Sequence, residues 1–423
     1  MSNIDNVYNY FNEEESNDKI FLELKQKVLD DHFNYLNYLK TYDDKYKLNK
    51  VLKTKTKYYK QYMDAVNEIN EYIKKADNPD INITINLALD ELENNYQDDF
   101  AKYYLHRLLI DCEMLPYYTP ANSNMIIEAR KLLNYFASIN HKRIITGQHT
   151  QTVGQEELAH IKKITGYFPK LVGYELLALS QNINPDSDKE CLEEVEDNKG
   201  TMQVAMYDKT DSIITFTWHM FSPLYGCGKS FYAKNTEFDI RKILCGEETK
   251  EYIAFMNELD HMAKVLKHFS DMKKPILFRP FHEADGSWFW WGKYGVEYAK
   301  DLYILTYKYF TEEKRLNNLI WVWNSIGAYP GDEYVDIISV DIYQNTLENT
   351  TFDELYDSLK SLSENKLIAL AECDIIPEIE DLRKRNHPFI YYMTWSKEFI
   401  LTEKYNSNEK LKNFFSQKDV IKR

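Results

Sequence analysis

The sequence has little of what marks a disulfide-rich, metal-binding or membrane protein. Its cysteines are few, scattered and odd in number, and no two are spaced as CxxC. We predict that they are free thiols or isolated buried residues, and not a disulfide framework or a zinc site. No apolar run approaches the roughly 20 residues that a membrane-spanning helix needs. The five cysteines are Cys112, Cys191, Cys227, Cys245 and Cys373.

Basic residues are also fewer than acidic ones. There are 52 Lys and Arg against 67 Asp and Glu, so the net charge is −15 at pH 7. This balance argues against nucleic acid or an anionic membrane as the main partner. The start, Met1 to Asp5, lacks the basic and apolar regions of a signal peptide, which predicts a cytoplasmic protein, or a secreted one if the sequence is a trimmed form. No phosphate-binding glycine loop, HExxH or His/Cys cluster occurs, so neither cofactor nor metal is expected.

The chain divides near Pro116 to Pro120. Between about residues 18 and 75, apolar side chains recur at helical spacing, which predicts a mainly helical N-terminal module over residues 1–117. Every candidate catalytic residue lies after Arg143. The sequence leaves three roles open for the module: a packing appendage, a partner-docking module or a cap over the cleft.

From Arg143 onward, short apolar runs of strand length alternate with segments of helical periodicity. Eight runs, each followed by a connection long enough for a helix, predict an α/β fold, namely a (β/α)₈ TIM barrel over residues 118–423. The predicted strands are Arg143–Gly147, Leu171–Leu176, Ser212–Trp218, Pro275–Phe281, Leu319–Trp323, Ile337–Tyr343, Leu367–Ala371 and Phe389–Trp395.

Polar and aromatic residues stand at the ends of most of these strands. The C-terminal ends of barrel strands meet at one mouth, where barrel enzymes hold their catalytic groups, so these side chains are expected to converge. One such residue would be an ordinary buried polar group, whereas seven coincident strand ends predict an active site. The residues are Gln148 and His149, His219, His282 and Glu283, Asn324, Asp341 and Tyr343, Glu372, and Trp395.

The segment from Phe278 to Gly292 crowds one Arg, one His, Glu283, Asp285 and three Trp into a short stretch. Ionisable groups among indoles favour a sugar site, because a pyranose offers C–H faces to aromatic rings and hydroxyls to charged groups. Desolvation in such surroundings raises the pKa of a carboxyl group, which suits a general acid. The alternative is an aromatic edge of the core with a salt bridge.

Two glutamates, Glu283 and Glu372, end the fourth and seventh predicted strands. On opposite sides of one barrel mouth they can face each other across a bound sugar. Glycoside hydrolysis needs two carboxyl groups, because one protonates the leaving oxygen while the other attacks the sugar or activates water. The alternative for either glutamate is a plain ion pair with Arg279.

Leu277 to Glu283, followed by Gly286 to Gly292, resembles the acid/base signature of glycoside hydrolase family 26, the β-mannanase family. Shorter matches appear in the family's order along the chain, from about Ala121 to the C-terminus. The resemblance implies a clan A hydrolase that cleaves internal β-1,4-mannosidic bonds of mannan or glucomannan with net retention. Two alternatives stay open: a related β-glycanase acting on xylan or mixed-linkage glucan, and a carbohydrate-binding pseudoenzyme. The shorter matches lie at 147–149, 217–220, 321–324, 341–343, 371–372 and 393–395.

The resemblance also implies roles for individual residues. Glu283 would be the acid/base and Glu372 the nucleophile, with Tyr343 hydrogen-bonded to that nucleophile. Trp288 and Trp395 would stack on sugar rings. The implied partner is a polysaccharide or oligosaccharide, and the oligomeric state is left open. The substrate-binding residues are His219, Arg279, His282, Trp288, Tyr343 and Trp395.

Overall fold

In the computed structural model, eight parallel strands close into a barrel, which confirms the predicted fold. Each strand pairs with the next along the chain, and the first strand pairs with both the second and the eighth. The bounds agree with the predicted runs to within two residues. The strands are β1 Ile144–His149, β2 Leu171–Glu175, β3 Ile213–Trp218, β4 Ile276–Pro280, β5 Leu319–Asn324, β6 Ile337–Ile342, β7 Leu367–Cys373 and β8 Tyr391–Thr394.

The structure describes residues 118–181, 183, 189–224, 230–344 and 353–423, which belong to one unit, Tyr118–Arg423. The helical module predicted for residues 1–117 lies outside the described residues and stays a prediction. Among the described helices, none is long and apolar enough to cross a bilayer. Three of the five cysteines are described: Cys191 and Cys373 are buried, and Cys245 is exposed.

Helices follow most strands and cover the outside of the barrel. In the longest of them, Lys250–Asp271, Thr249 caps the first turn by accepting a hydrogen bond from the Tyr252 amide at 3.1 Å. Its buried side chains, such as Phe255, Leu259 and Leu266, recur at helical spacing, and each contributes about 1.5–3 kcal/mol by burial. The described helices are α1 Ile127–Ile139, α2 Glu156–Thr165, α3 Lys189–Asp197, α4 Thr201–Tyr207, α5 Lys250–Asp271, α6 Val296–Tyr307, α7 Asp353–Leu362, α8 Ile379–Arg385, α9 Glu398–Leu401 and α10 Asn408–Ser416.

Two features of the barrel differ from the prediction. The connection from β5 to β6 contains no helix, since Pro330 and Gly331, which has a φ of 112°, interrupt it. A ninth strand, β9 Val420–Ile421, pairs with the first half of β1, while β2 pairs with β1 only from Gly147 onward. The ninth strand therefore covers the edge of β1 that β2 leaves open.

The barrel strands are buried on both faces, as parallel strands enclosed by helices must be. Every residue of β5 is buried, including Trp321 and Trp323. Because all eight strands run in the same direction, their C-terminal ends form a single rim. The residues at that rim, and the loops that follow it, build the candidate site.

A substitution at Gly147 tests how β1 is aligned against β8. A Cβ atom at this position would lie 2.2 Å from the Tyr392 backbone oxygen. Gly147→Ala should therefore lower the free energy of unfolding by on the order of 2 kcal/mol, because the two strands must separate. Gly154→Ala is the control, since its Cβ would meet no atom closer than 3.6 Å. Urea denaturation of both variants measures the effect, and equal stabilities would contradict the register.

Candidate active site

The barrel rim brings the predicted site residues together. Arg279 lies on β4 and Glu372 on β7. His219, Tyr343 and Trp395 each directly follow a strand, and the loop after β4 carries the remaining three. Those three are His282, Glu283 and Trp288.

The two glutamates face each other at this rim. One carboxylate oxygen each of Glu283, Asp341 and Glu372 lies within 4.8 Å of the other two. Asp341 pairs with Glu372 across the β6–β7 ladder, just after an irregularity in the register at Val340 and Asp341. Such irregularities re-aim side chains at barrel rims. Three acidic groups therefore share one small, partly buried volume.

Arg279 is the cation that balances these carboxylates. Its guanidinium is buried and donates from Nη1 to Asp341 Oδ2 at 2.7 Å and from Nη2 to Thr217 Oγ1 at 3.0 Å. Nη2 also contacts Glu372 Oε1 in a close ion pair. Three carboxylates at this spacing have the donor set of a metal site, but the guanidinium already supplies positive charge to two of them. Glu283 has no such contact among its described hydrogen bonds.

Glu283 is held in a strained loop directly after β4. Phe281 and Glu283 have φ values of 51° and 50°, in the left-handed region that non-glycine residues seldom adopt. Asn324 secures the loop, because its Oδ1 accepts from the Glu283 amide at 2.6 Å while its Nδ2 donates to Asp341 at 2.8 Å. Trp288 Nε1 donates to Glu283 Oε2 at 2.6 Å. Strain of this kind clusters at active sites.

The carboxyl groups titrate above their usual range. Burial, and after it the neighbouring Asp341 charge, raise the pKa of Glu283 to about 7. Burial also raises the pKa of Glu372, and together with the charges of Asp341 and Glu283 it outweighs the Arg279 guanidinium, which lowers that pKa. Because the two groups interact, protons leave the site in steps that belong to the cluster. Of the two glutamates, only Glu372 contacts the guanidinium among the described residues.

A pair of histidines lies beside the carboxylates. His219 Nε2 and His282 Nε2 are 3.1 Å apart, and His219 Nδ1 lies 2.7 Å from Glu175 Oε2. Burial lowers the pKa of His219, but the charge and hydrogen bond of Glu175 outweigh it, so that the pKa is raised. Burial lowers the pKa of His282 well below its usual value. His282 is therefore neutral at pH 7.

Aromatic side chains form the walls of the site, but the tryptophans of the β4 loop divide into two groups. Trp288 is 51% exposed and stands over Glu283. Trp290 and Trp291 are buried, and their indole N–H groups donate to the backbone oxygens of Met220 and His282 at 2.8 Å. On the opposite side, Trp395 stacks on the His149 ring at 3.8 Å between centroids.

Sequence reasoning missed Glu175, and it named Asp341 among the strand-end residues without assigning it a role. Glu175 ends β2 and accepts hydrogen bonds from the His219 amide and the Leu177 amide. The rule that polar residues at strand ends converge could have found it, because it is the acidic group closing the second strand. Asp341 also ends a strand, and no other single signal in the sequence distinguishes it.

Comparison with known sequences points to one family. The sequence model of Glycosyl hydrolase family 26 matches residues 121–423. The chain is 32% identical over 314 residues to a mannan endo-1,4-beta-mannosidase of Thermothelomyces thermophilus, covering 71% of this chain and 61% of that protein. It is 31% identical to mannan endo-1,4-beta-mannosidase B of Piromyces sp, over 72% of this chain and 52% of that protein. The chain thus spans between half and two thirds of the length of these curated relatives.

Solved structures of similar proteins share the fold. The Podospora anserina GH26-CBM35 β-(1,4)-mannanase has a TM-score of 0.65 and 30% sequence identity, over 72% of this chain and 68% of that chain. A β-mannanase from a symbiotic protist of the termite Reticulitermes speratus, crystallised with a gluco-manno-oligosaccharide, has a TM-score of 0.63 and 28% identity. The match covers 72% of this chain and 96% of that one.

The raised pKa of Glu283 predicts a pH-dependent stability. The folded protein holds a proton on Glu283 up to about pH 7, whereas the unfolded chain releases it near pH 4.5. The contribution of Glu283 to stability therefore falls as the pH rises through this window, and its full cost is present above pH 7. Relative to the wild type, Glu283→Gln should gain on the order of 2 kcal/mol between pH 4.5 and 7.5. Urea unfolding at several pH values measures this, and a constant difference would refute it.

Proposed function

Because the chain belongs to Glycosyl hydrolase family 26, we propose that it cleaves internal β-1,4-mannosidic bonds of mannan or glucomannan with net retention. The observation that carries this proposal is the approach of Glu283 and Glu372, whose nearest carboxyl oxygens lie within 4.8 Å. Retaining glycosidases hold their two carboxyl groups about 5–5.5 Å apart, and inverting ones about 6.5–9.5 Å, since a water molecule must then fit between group and sugar.

Glu372 is the proposed nucleophile. A nucleophilic carboxyl group must be ionised, and the Arg279 guanidinium and the Tyr343 hydroxyl both contact Glu372. The Tyr343 hydroxyl donates to Oε2 at 2.8 Å, while Arg279 contacts Oε1. Attack of Glu372 on the anomeric carbon breaks the glycosidic bond and forms a covalent glycosyl-enzyme, which water then hydrolyses.

Glu283 is the proposed acid/base. Its pKa of about 7 provides a proton near neutral pH for the leaving oxygen. In the second step the same carboxylate takes a proton from the attacking water. The Trp288 N–H donor fixes one oxygen of the carboxyl group, which leaves the other for the substrate.

The remaining predicted residues are proposed to bind the sugar. Trp288 and Trp395 offer indole faces for stacking on the C–H faces of pyranose rings. The ring nitrogens of His219 and His282, 3.1 Å apart beside the carboxylates, suit hydrogen bonds to sugar hydroxyls. Glu175 holds His219 in place, so we assign it a positioning role.

The names of the relatives support mannan as the substrate, and one favours a second candidate. Over 139 residues the chain is 32% identical to endoglucanase H of Acetivibrio thermocellus, which covers 26% of this chain and 15% of that protein. A β-glucan is therefore the alternative substrate. The presence of both glutamates argues against a pseudoenzyme, because a protein that only binds sugar needs the aromatic platforms and not the carboxyl pair.

A polysaccharide panel tests substrate and stereochemistry together. We expect the protein to release oligosaccharides of mixed length from mannan and glucomannan, and to act at least tenfold more slowly on xylan and mixed-linkage β-glucan. Proton NMR of fresh product should show the β-anomer first, as retention requires. Initial release of the α-anomer would refute the double displacement. Binding without cleavage of any polymer would favour the pseudoenzyme.

Substitution of each glutamate by glutamine separates their roles. Glu372→Gln should lower kcat by roughly 10³-fold or more on every substrate, because the covalent step needs a carboxylate. Glu283→Gln should spare the first step on an aryl β-mannoside with a good leaving group, since that group departs without a proton. Glu297→Gln, at an exposed glutamate of α6, is the matched control. A burst of aryl alcohol measures the first step, and equal loss in both variants would refute the roles.

A further inference from the structure

Lys397 adopts a backbone conformation that a lysine seldom takes. Its φ is 57° and its ψ is −124°, which is a region favoured by glycine. Residues in such conformations persist only where their surroundings hold them in place, and they cluster at functional sites. Lys397 lies directly before α9, two residues after Trp395.

Contacts from two helices hold Lys397. The carboxylate of Glu157, buried on α2, accepts from its amide at 3.1 Å. On α3, Glu194 and Asp197 bind its ammonium group at 3.1 and 2.8 Å. The Lys397 carbonyl oxygen in turn accepts from the amides of Ile400 and Leu401 at 3.2 and 2.8 Å. Lys397 thus connects α2 and α3 to the first turn of α9.

That turn supports the active site through one aromatic contact. Phe399 on α9 packs against the Tyr343 ring, with 5.5 Å between centroids and an angle of 61°. Tyr343 lies just beyond the end of β6, is 37% exposed, and donates its hydroxyl to Glu372. Trp395 depends less on Lys397, because its own backbone already bonds to Cys373 of β7 and Gln148 of β1.

We propose that Lys397 is a positioning residue, which anchors α9 to α2 and α3 so that Phe399 holds the Tyr343 hydroxyl on Glu372. This inference rests on the proposed role of Glu372 as the nucleophile. Glycine at position 397 would fit the backbone without strain, but it would lose the bonds to Glu194 and Asp197. The presence of lysine in a glycine-type conformation is therefore explained by the anchor.

The expected signature is a change in the acidic limb of the pH profile. A hydroxyl that donates to a carboxylate favours the ionised form, so loss of the Tyr343 contact raises the pKa of Glu372. The charged groups that face Glu372 are Arg279, Asp341, Glu283 and His219, and none of them touches Lys397. Lys397→Met should therefore shift the acidic limb of kcat/KM to higher pH and leave the basic limb unchanged.

A double-mutant cycle with Tyr343 tests the proposed connection. Lys397→Met and Tyr343→Phe are each expected to lower kcat/KM on an aryl β-mannoside, the former by about tenfold. In the Tyr343→Phe background, Lys397→Met should cost less than twofold, because both changes remove the same contact. Lys397→Arg, which keeps the positive charge, should retain most of the wild-type rate. Additive losses, or a lowered melting temperature without a shift of the acidic limb, would overturn the proposal.

Two further variants complete the design. Lys300→Met removes a lysine that pairs with Glu297 on α6, and it should leave the rates and the pH profile unchanged. If Lys397→Met does not fold, the double variant Glu194→Gln/Asp197→Asn removes the same ion pairs from the other side and must show the same shift.

Amide hydrogen exchange separates this proposal from the proposed function. Whatever the activity, Lys397→Met should accelerate exchange of the Ile400 and Leu401 amides at least tenfold. If the wild type is inactive but the Lys397→Met variant shows this acceleration, the proposed hydrolase function is refuted and the anchor still stands. If exchange of these amides is unchanged in the Lys397→Met variant, the anchor is refuted even when the wild type is active.

Discussion

The buried guanidinium of Arg279 is the interaction on which the site depends. It contacts Asp341 and Glu372 on two neighbouring strands and Thr217 on a third. Without it, two carboxylates in a desolvated volume would repel each other and take up protons. The barrel makes the arrangement possible, because β4 faces β6 and β7 across its interior. A side chain of one strand can therefore hold the ends of strands that are distant in sequence.

Much of this fold can be predicted from the sequence, because each strand is a short apolar run that ends in polar residues. That pattern gave eight strands to within two residues, and it directed attention to the strand ends. Parallel strands have one rim, so finding the strands also located the site. The ninth strand, Val420–Ile421, escaped because two residues carry no periodicity. Its pairing depends on where β2 leaves β1, which is a tertiary property.

The tryptophans of the β4 loop show a second limit of sequence reasoning. Composition alone makes Trp288, Trp290 and Trp291 equivalent candidates for sugar stacking. In the structure only Trp288 is exposed, whereas Trp290 donates to the Met220 backbone oxygen after β3 and Trp291 donates to the His282 backbone oxygen within the loop. Which indole faces solvent follows from the backbone path after β4, where Phe281 and Glu283 adopt left-handed φ values. No local pattern in the sequence encodes that path.

One asymmetry in contacts supports different proposed roles for two chemically identical side chains. Glu283 and Glu372 are both desolvated, and burial raises the pKa of each. Among the described contacts, only Glu372 touches the guanidinium and the tyrosine hydroxyl, which both favour its ionised form. The negative charge of Asp341 favours the protonated form of both glutamates. Asp341 therefore acts in two ways: its charge raises the pKa of both glutamates, and it also binds Arg279, the cation that favours the ionised form of Glu372.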